Sequence, residues 1–300
     1  MEEFVIEAVR AERLRQASGV DMEQFVASLV KPTAAMARAP ISKFHVGAVG
    51  LGSSGRIFRG VNLEFKGLPL NHSVHAEQFL VANAAQNGEK KLIFIAVSAA
   101  PCGHCRQFLQ ELRAAGDIRI LVTDGKDPEP QPLSYFLPHR FGPEDLLHKD
   151  FPLLLESRSN GLHPTLTSAS AAPVVAAPNG SICTKCDREI AQNALEAANN
   201  SYAPYSRCPS GITLATKTGE SFSGYYMESA AYNPGLPPLQ AAIVAFVCDG
   251  GRDYDEIETA ILVETKDAAV QQAPTVHLAL EKIAPSCTLH VYEVSAGSKF

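Results

Sequence analysis

The chain has no tryptophan, and only 7% of its 300 residues are aromatic. A protein built around broad aromatic stacking platforms is thereby excluded. An excess of positive charge is also missing: 26 Lys and Arg stand against 32 Asp and Glu, a net charge of −6. Such a chain lacks the electrostatic footprint of a polynucleotide binder. Long hydrophobic runs are absent too, and the longest with helical promise, Ala241 to Val247, is far too short to span a bilayer. The opening Met1-Glu2-Glu3-Phe4 is acidic with no apolar segment behind it, so no secretory signal is expected. Seven cysteines, an odd count, read as thiols of a reducing compartment rather than as a disulfide framework. These absences point to a soluble, cytoplasmic protein with neither membrane nor nucleic acid as partner.

What is present is a globular composition, 46% apolar and 19% charged, in a chain long enough for two domains. Ala39-Pro40-Ile41-Ser42-Lys43-Phe44 lies over Ala203-Pro204-Tyr205-Ser206-Arg207-Cys208. In the same register Gly47 meets Gly211, Gly55 meets Gly219, Phe58 meets Phe222, Gly60 meets Gly224 and Glu64 meets Glu228. After two deleted residues, Val74-His75-Ala76-Glu77-Gln78 lies over Leu236-Pro237-Pro238-Leu239-Gln240. The chain is a duplicated domain whose second copy has diverged. Residues 156–185, rich in Ser, Ala, Pro and Asn, read as a flexible connector between the copies.

In copy one the pattern predicts a helix over Met22–Met36 interrupted near Pro32, and strands over Phe44–Leu51 and Arg56–Glu64 joined by a Gly-Ser-Ser-Gly hairpin. A helix over Ala76–Ala85, a buried strand over Lys91–Ser98, a helix over Gly103–Ala114 and a strand over Ile118–Thr123 follow. Copy two repeats the hairpin over Gly211–Ser223, a helix over Gln240–Cys248 and a strand over Thr259–Val263. Alternating strands and helices imply parallel pairing with helices on both faces of a sheet.

Two short stretches carry chemistry: His75-Ala76-Glu77, and Pro101-Cys102-Gly103-His104-Cys105, each at a predicted helix start. One His and two thiolates suit tetrahedral zinc with a position left open. Glu77 stands two residues from His75, close enough to reach a metal-bound water without being a ligand. The competing reading is a structural zinc closed by a fourth protein ligand. His104 is the candidate for that place, but its position between the two cysteines makes simultaneous coordination geometrically poor. Cys183-Thr184-Lys185-Cys186 is a second Cys-x-x-Cys with no partner pair nearby, and reads as two loop thiols.

His-Ala-Glu followed by Pro-Cys-x-x-Cys is the signature of the zinc nucleobase deaminases. With Val61-Asn62-Leu63-Glu64-Phe65 and the run Pro101 to Phe108, the chain resembles the cytidine deaminases of free nucleosides. It looks most like their duplicated, homodimeric branch, found in enteric bacteria and plants. The resemblance covers roughly residues 25–300. It implies an α/β fold of two three-layer α/β/α domains with a mixed sheet: an N-terminal extension (1–24), a catalytic domain (25–155), the connector (156–185) and a degenerate, non-catalytic copy (186–300).

The same resemblance implies one zinc per chain on His75, Cys102 and Cys105, with hydroxide attack at C4 of cytidine or 2′-deoxycytidine. Glu77 would shuttle the protons and ammonia would leave, as in pyrimidine salvage. It implies that Asn62 and Glu64 bind the ribose hydroxyls, that Phe44 stacks on the pyrimidine, that Ala76 contacts substrate, and that Phe141 reaches the neighbouring subunit's site in a homodimer. From the residues alone Glu64 reads equally as a strand-end surface charge, and Phe44 as a core-facing strand residue. A polynucleotide deaminase would share the zinc site, and a non-catalytic zinc-stabilised interaction protein would explain the ligands but not Glu77. Copy two has Pro237 and Leu239 for His75 and Glu77, and no thiol after Val263, so neither metal nor acid–base chemistry is expected there.

Overall fold

In the computed structural model the described residues are 3–125, 128–163, 185–266 and 268–296. They divide into two compact units: Met1–Glu156 with Ser229–Gly235, and Ser157–Glu228 with Leu236–Phe300. The first unit thus takes in seven residues from the middle of copy two. The fold is a duplicated α/β one.

The strands of the first unit are β1 (Val5–Ile6), β2 (Gly47–Gly52), β3 (Ile57–Val61), β4 (Leu92–Val97), β5 (Arg119–Val122) and β6 (Gln131–Pro132). They form one sheet in the order β1-β3-β2-β4-β5-β6. The β2–β3 hairpin and the β2–β4 pair are antiparallel, and only β4 and β5 run parallel, with Phe94 opposite Arg119. The sheet is therefore mixed.

Its helices are α1 (Ala8–Ser18), α2 (Met22–Ser28), α3 (Val30–Ala34), α4 (Ala76–Gln86) and α5 (Gly103–Phe108), with single turns α6 (Leu133–Phe136) and α7 (Pro143–Leu146). Asp21 caps α2 by accepting the Gln24 amide, and the predicted break falls at Leu29, not at Pro32, which α3 carries in its first turns. A Cβ on Gly47 would meet α3 at Ala34 N, 2.5 Å away, whereas one on Gly50 would meet the Leu80 side chain of α4. Residues three apart on a strand face opposite ways, so α3 and α4 cover opposite faces of one sheet. Three layers result. Phe25, Val26, Val30, Val49, Ile57 and Phe94 form the core beneath α2 and α3.

The second unit repeats the plan with β7 (Leu162–His163), β8 (Ser210–Thr216), β9 (Ser221–Tyr225), β10 (Ile257–Thr265) and β11 (Thr288–Ala296), ordered β7-β11-β10-β8-β9. Its helices are α8 (Lys185–Asn200), α9 (Pro238–Cys248) and α10 (Ala273–Ile283). A Cβ on Gly211 would meet Ala198 N of α8 at 2.2 Å, and one on Gly224 would meet Ala242 N of α9 at 2.0 Å. These are the partners, in the repeat, of Gly47 and of Gly60, whose own Cβ would lie 2.2 Å from Ala76 O. The in-register glycines are where a helix backbone rests directly on a strand.

The duplication is also written in the backbone. Lys43 and Arg207 both sit in the left-handed region (φ +59° and +58°), as do Gly55 and Gly219 (φ +83° and +88°) in the hairpin turns. Bridges Arg38–Leu63 and Leu63–Val74 recur as Tyr202–Met227 and Met227–Leu236.

Candidate active site

α4 begins at Ala76 with His75 as its N-cap, and Gln78 Oε1 accepts the His75 amide at 3.2 Å. α5 begins at Gly103 with Cys102 as its N-cap, directly after β4 and a Ser-Ala-Ala-Pro turn. The two segments bring His75, Cys102 and Cys105 together: one donor atom of each lies within 4.8 Å of the others. His75 Nδ1 is 3.5 Å from Cys102 Sγ and 3.3 Å from Cys105 Sγ. A tetrahedral ion bonded to nitrogen and sulfur at about 2.0 and 2.3 Å requires an N–S edge of about 3.5 Å. One nitrogen and two sulfurs at that spacing fit zinc. Among the described residues this is the one group of three or more such side chains placed to hold a metal.

The electrostatics suit a cation. Hydrogen bonds from Cys105 and then His75 hold the Cys102 thiol at about 3, a thiolate at neutral pH. Cys105 is pushed up, first by its hydrogen bond to Cys102 and then by burial, so the pair shares a proton that a metal would displace. His75 is raised by its hydrogen bond to Cys102. Glu77, 5% exposed, is pushed up by burial against smaller lowering effects from its own backbone amide, His75 and the Cys105 thiol.

His104 turns away from this set. Its Nε2 lies 3.2 Å from the Asn233 carbonyl, and burial lowers its pKa. Asn233 belongs to the segment Ser229–Gly235, which is bonded at two further points of the first unit. Gln78 Nε2 donates to Pro234 O at 3.1 Å, and the buried Glu111 accepts the Ala230 amide at 2.7 Å. Reading along the chain missed these residues. Only their contacts, more than a hundred positions apart in sequence, reveal them.

Three of the remaining candidates, Glu64, Asn62 and Phe44, meet at the turn before β2. Glu64 Oε2 accepts the amides of Ile41 and Ser42, both at 2.9 Å, and Oε1 accepts the Ser42 hydroxyl. Burial raises the Glu64 pKa, but the Ser42 hydroxyl, the two amides and Lys43 outweigh it and the carboxyl ends below its ordinary value. Asn62 accepts the Val46 amide at 2.8 Å and donates to Phe44 O at 2.9 Å. Phe44 precedes β2 and is 62% exposed, which disposes of the core-facing alternative. Ala76 is buried at the start of α4. Phe141, 45% exposed, is held through its carbonyl by Gln107 Nε2 at 2.6 Å.

Copy two keeps the helix start and loses the chemistry. Pro237 occupies the N-cap of α9 where His75 caps α4. β10 runs on to Thr265, and Glu264 accepts the Gln272 amide at 2.8 Å where copy one has its cysteine turn. Cys183 lies outside the described residues, and the side chain of Cys186 is likewise not described.

A histidine and two cysteines converging from consecutive strand–helix units, with a buried carboxyl two residues from the histidine, define the class: a zinc-binding deaminase. Residues 21–120 match the family model of the cytidine and deoxycytidylate deaminase zinc-binding region, and residues 133–277 match a second model of the same description. Cytidine deaminase 1 of Arabidopsis thaliana is 52% identical over 300 residues, covering 96% of this chain and 97% of that one. A cytidine deaminase of Enterobacter sp. (strain 638) is 40% identical over 268 residues, covering 89% and 82%. Among solved structures, a Glu-to-Asp mutant of Mycobacterium tuberculosis cytidine deaminase is 30% identical, covers 42% of this chain and 99% of its own, and superposes with a TM-score of 0.37. The chain belongs to the cytidine deaminase family, and is a hydrolase of that kind.

Proposed function

We propose that this enzyme hydrolyses free cytidine and 2′-deoxycytidine to uridine and 2′-deoxyuridine with release of ammonia, as a cytoplasmic step of pyrimidine salvage. The observation that carries the mechanism is the buried Glu77 carboxyl, two residues from His75. His75, Cys102 and Cys105 would hold the zinc. When bound, the metal lowers the pKa of a coordinated water towards about 7.

Glu77 takes one proton from the attacking water and passes it to N3 of the ring. The C4–N3 double bond opens towards N3 as the water oxygen bonds to C4. Glu77 then takes the second proton from that oxygen and delivers it to the exocyclic amine. The C4–N bond breaks, ammonia leaves and the C4 carbonyl remains. Burial helps, because a carboxyl out of water holds its proton closer to the pKa that such a shuttle needs.

Asn62 and Glu64 bind the sugar hydroxyls, Phe44 stacks on the base and Ala76 lines the pocket beside it. The mild negative charge, and the lack of a Lys or Arg run beside the motifs, favour a nucleoside over a nucleotide or polynucleotide. The active form is a homodimer. The test is ammonia release by metal-analysed protein given equal concentrations of cytidine, deoxycytidine, cytidine monophosphate and single-stranded DNA. Rapid turnover of the two nucleosides alone is expected. Equal turnover of the phosphorylated or polymeric substrates would overturn the reading.

A further inference from the structure

Ser42 does more than close a turn. Its hydroxyl donates to Glu64 and accepts the Phe44 amide at 3.0 Å, while Asn62 holds the Phe44 carbonyl at 2.9 Å. Both backbone polar groups of Phe44 are thus pinned. Between Ser42 and Phe44, Lys43 is kept at φ +59°, a conformation that side-chain-bearing residues rarely adopt unaided. Yet the ring these bonds aim is 62% exposed and buries little of itself. Rigid backbone beneath an exposed aromatic is the arrangement of a preformed contact surface.

Copy two provides an internal comparison. Ser206 Oγ accepts the Cys208 amide at 3.0 Å, Glu228 accepts the amides of Tyr205 and Ser206 at 2.8 and 3.1 Å, and Arg207 sits at φ +58°. The backbone half of the clamp has survived where no metal ligand and no Glu77 remain. What it carries there is Cys208, 5% exposed, and the brace on its carbonyl is gone because Tyr226 replaces Asn62. The clamp is therefore a device for setting the backbone, and the difference between the copies lies in what it presents. Three donors on Glu64 also occupy most of the roughly four lone-pair directions of a carboxylate.

We propose that Ser42 is a positioning residue for substrate binding: through the clamp with Glu64 it fixes Lys43 and aims the Phe44 ring at the base. The inference rests on the reading that Phe44 meets the pyrimidine, and the experiment separates the two. Steady-state constants for cytidine are measured on Ser42→Ala, Ser42→Thr, Phe44→Leu, the double variant Ser42→Ala/Phe44→Leu, and Ser206→Ala as control, each with its zinc content.

Ser42→Ala should raise KM about tenfold, the factor carried by one lost hydrogen bond of ordinary strength, with kcat within about twofold. Ser42→Thr, which keeps the hydroxyl, should restore KM. In the Phe44→Leu background the serine substitution should add nothing, because both act through one ring. Ser206→Ala should leave KM unchanged while lowering the melting temperature of the protein. If Phe44→Leu binds cytidine normally, the stacking reading fails. If Phe44→Leu weakens binding but Ser42→Ala does not, or if Ser206→Ala raises KM as much, the positioning role is overturned. Loss of zinc or of fold in Ser42→Ala, with Ser206→Ala intact, would likewise make Ser42 structural and overturn it.

Discussion

Glu77 is a carboxyl that burial pushes towards the neutral form, set beside groups that favour its anion. In the proposed mechanism that balance would let one side chain accept and return a proton. Glu77→Gln is nearly isosteric and keeps the start of α4, but an amide cannot cycle a proton. Zinc content and melting temperature should survive while kcat/KM falls by more than the ~10²–10⁴-fold typical of one acid–base group, because in the proposed mechanism Glu77 acts at more than one step. Near-normal turnover by zinc-loaded Glu77→Gln would refute its assigned role. At this scale the sequence was most legible where chemistry is local. His75, Cys102 and Cys105, which the fold brings together, stand out by spacing, since candidate ligands on adjacent helix starts need only short intervals, and Glu77 stands out beside His75. Glu64 and Asn62 were legible as residues but not in the bonds they make within the fold. Their partners Ile41, Ser42, Phe44 and Val46 lie 16 to 23 positions away and are joined by bonds that no pattern announces.

Elements were read well where periodicity was strong and poorly where copy two had drifted. The β2–β3 hairpin, β4, α4 and α9 fall close to their predicted spans. α1, α8, α10 and β11 carried no motif and went unread. The helix expected over Gly103–Ala114 is α only to Phe108, then tightens to a 3₁₀ turn and ends before Ala114, which adopts φ +53°. Helix-on-strand contacts decide what the elements tolerate. A Cβ on Gly60 would lie 2.2 Å from Ala76 O and 2.5 Å from Leu80 N, too close without moving α4. His75 caps that helix, so Gly60→Ala should both destabilise the protein, by about 1–3 kcal/mol or more, and weaken zinc retention against a chelator. Gly224→Ala makes the same clash under α9, where Pro237 stands in place of the ligand. Denaturant melts should show a comparable loss for both variants, whereas the chelator rate should change only for Gly60→Ala. Equal zinc loss in the two would detach α4 from ligand geometry.

At the scale of the whole molecule, duplication with a metal-competent group in the first copy makes two statements that measurement can separate. The first concerns stoichiometry. With His75, Cys102 and Cys105 as the single metal-competent group among the described residues, elemental analysis should give one zinc per chain. Two tightly held ions would revive Cys183 and Cys186.

The second concerns assembly. Phe44, Phe141, Leu70 and Tyr135 of the first unit are large side chains left substantially in water. If Phe141 serves the site of a second copy, as the family resemblance implies, chains with different lesions should repair each other. Glu77→Gln chains lack the proton shuttle but offer a sound Phe141. Phe141→Ala chains offer a sound Glu77 but nothing to a neighbour. Each homodimer should be impaired, the first in kcat and the second in KM. In the mixed dimer one of the two sites combines Glu77 from one chain with Phe141 from the other. Mixing by co-expression with distinct tags, followed by tandem purification, should therefore return a wild-type KM at half the wild-type turnover per dimer. A mixed dimer that keeps the raised KM of Phe141→Ala would show that the ring acts within its own chain, and an active species that light scattering finds to be a monomer would remove the dimer altogether.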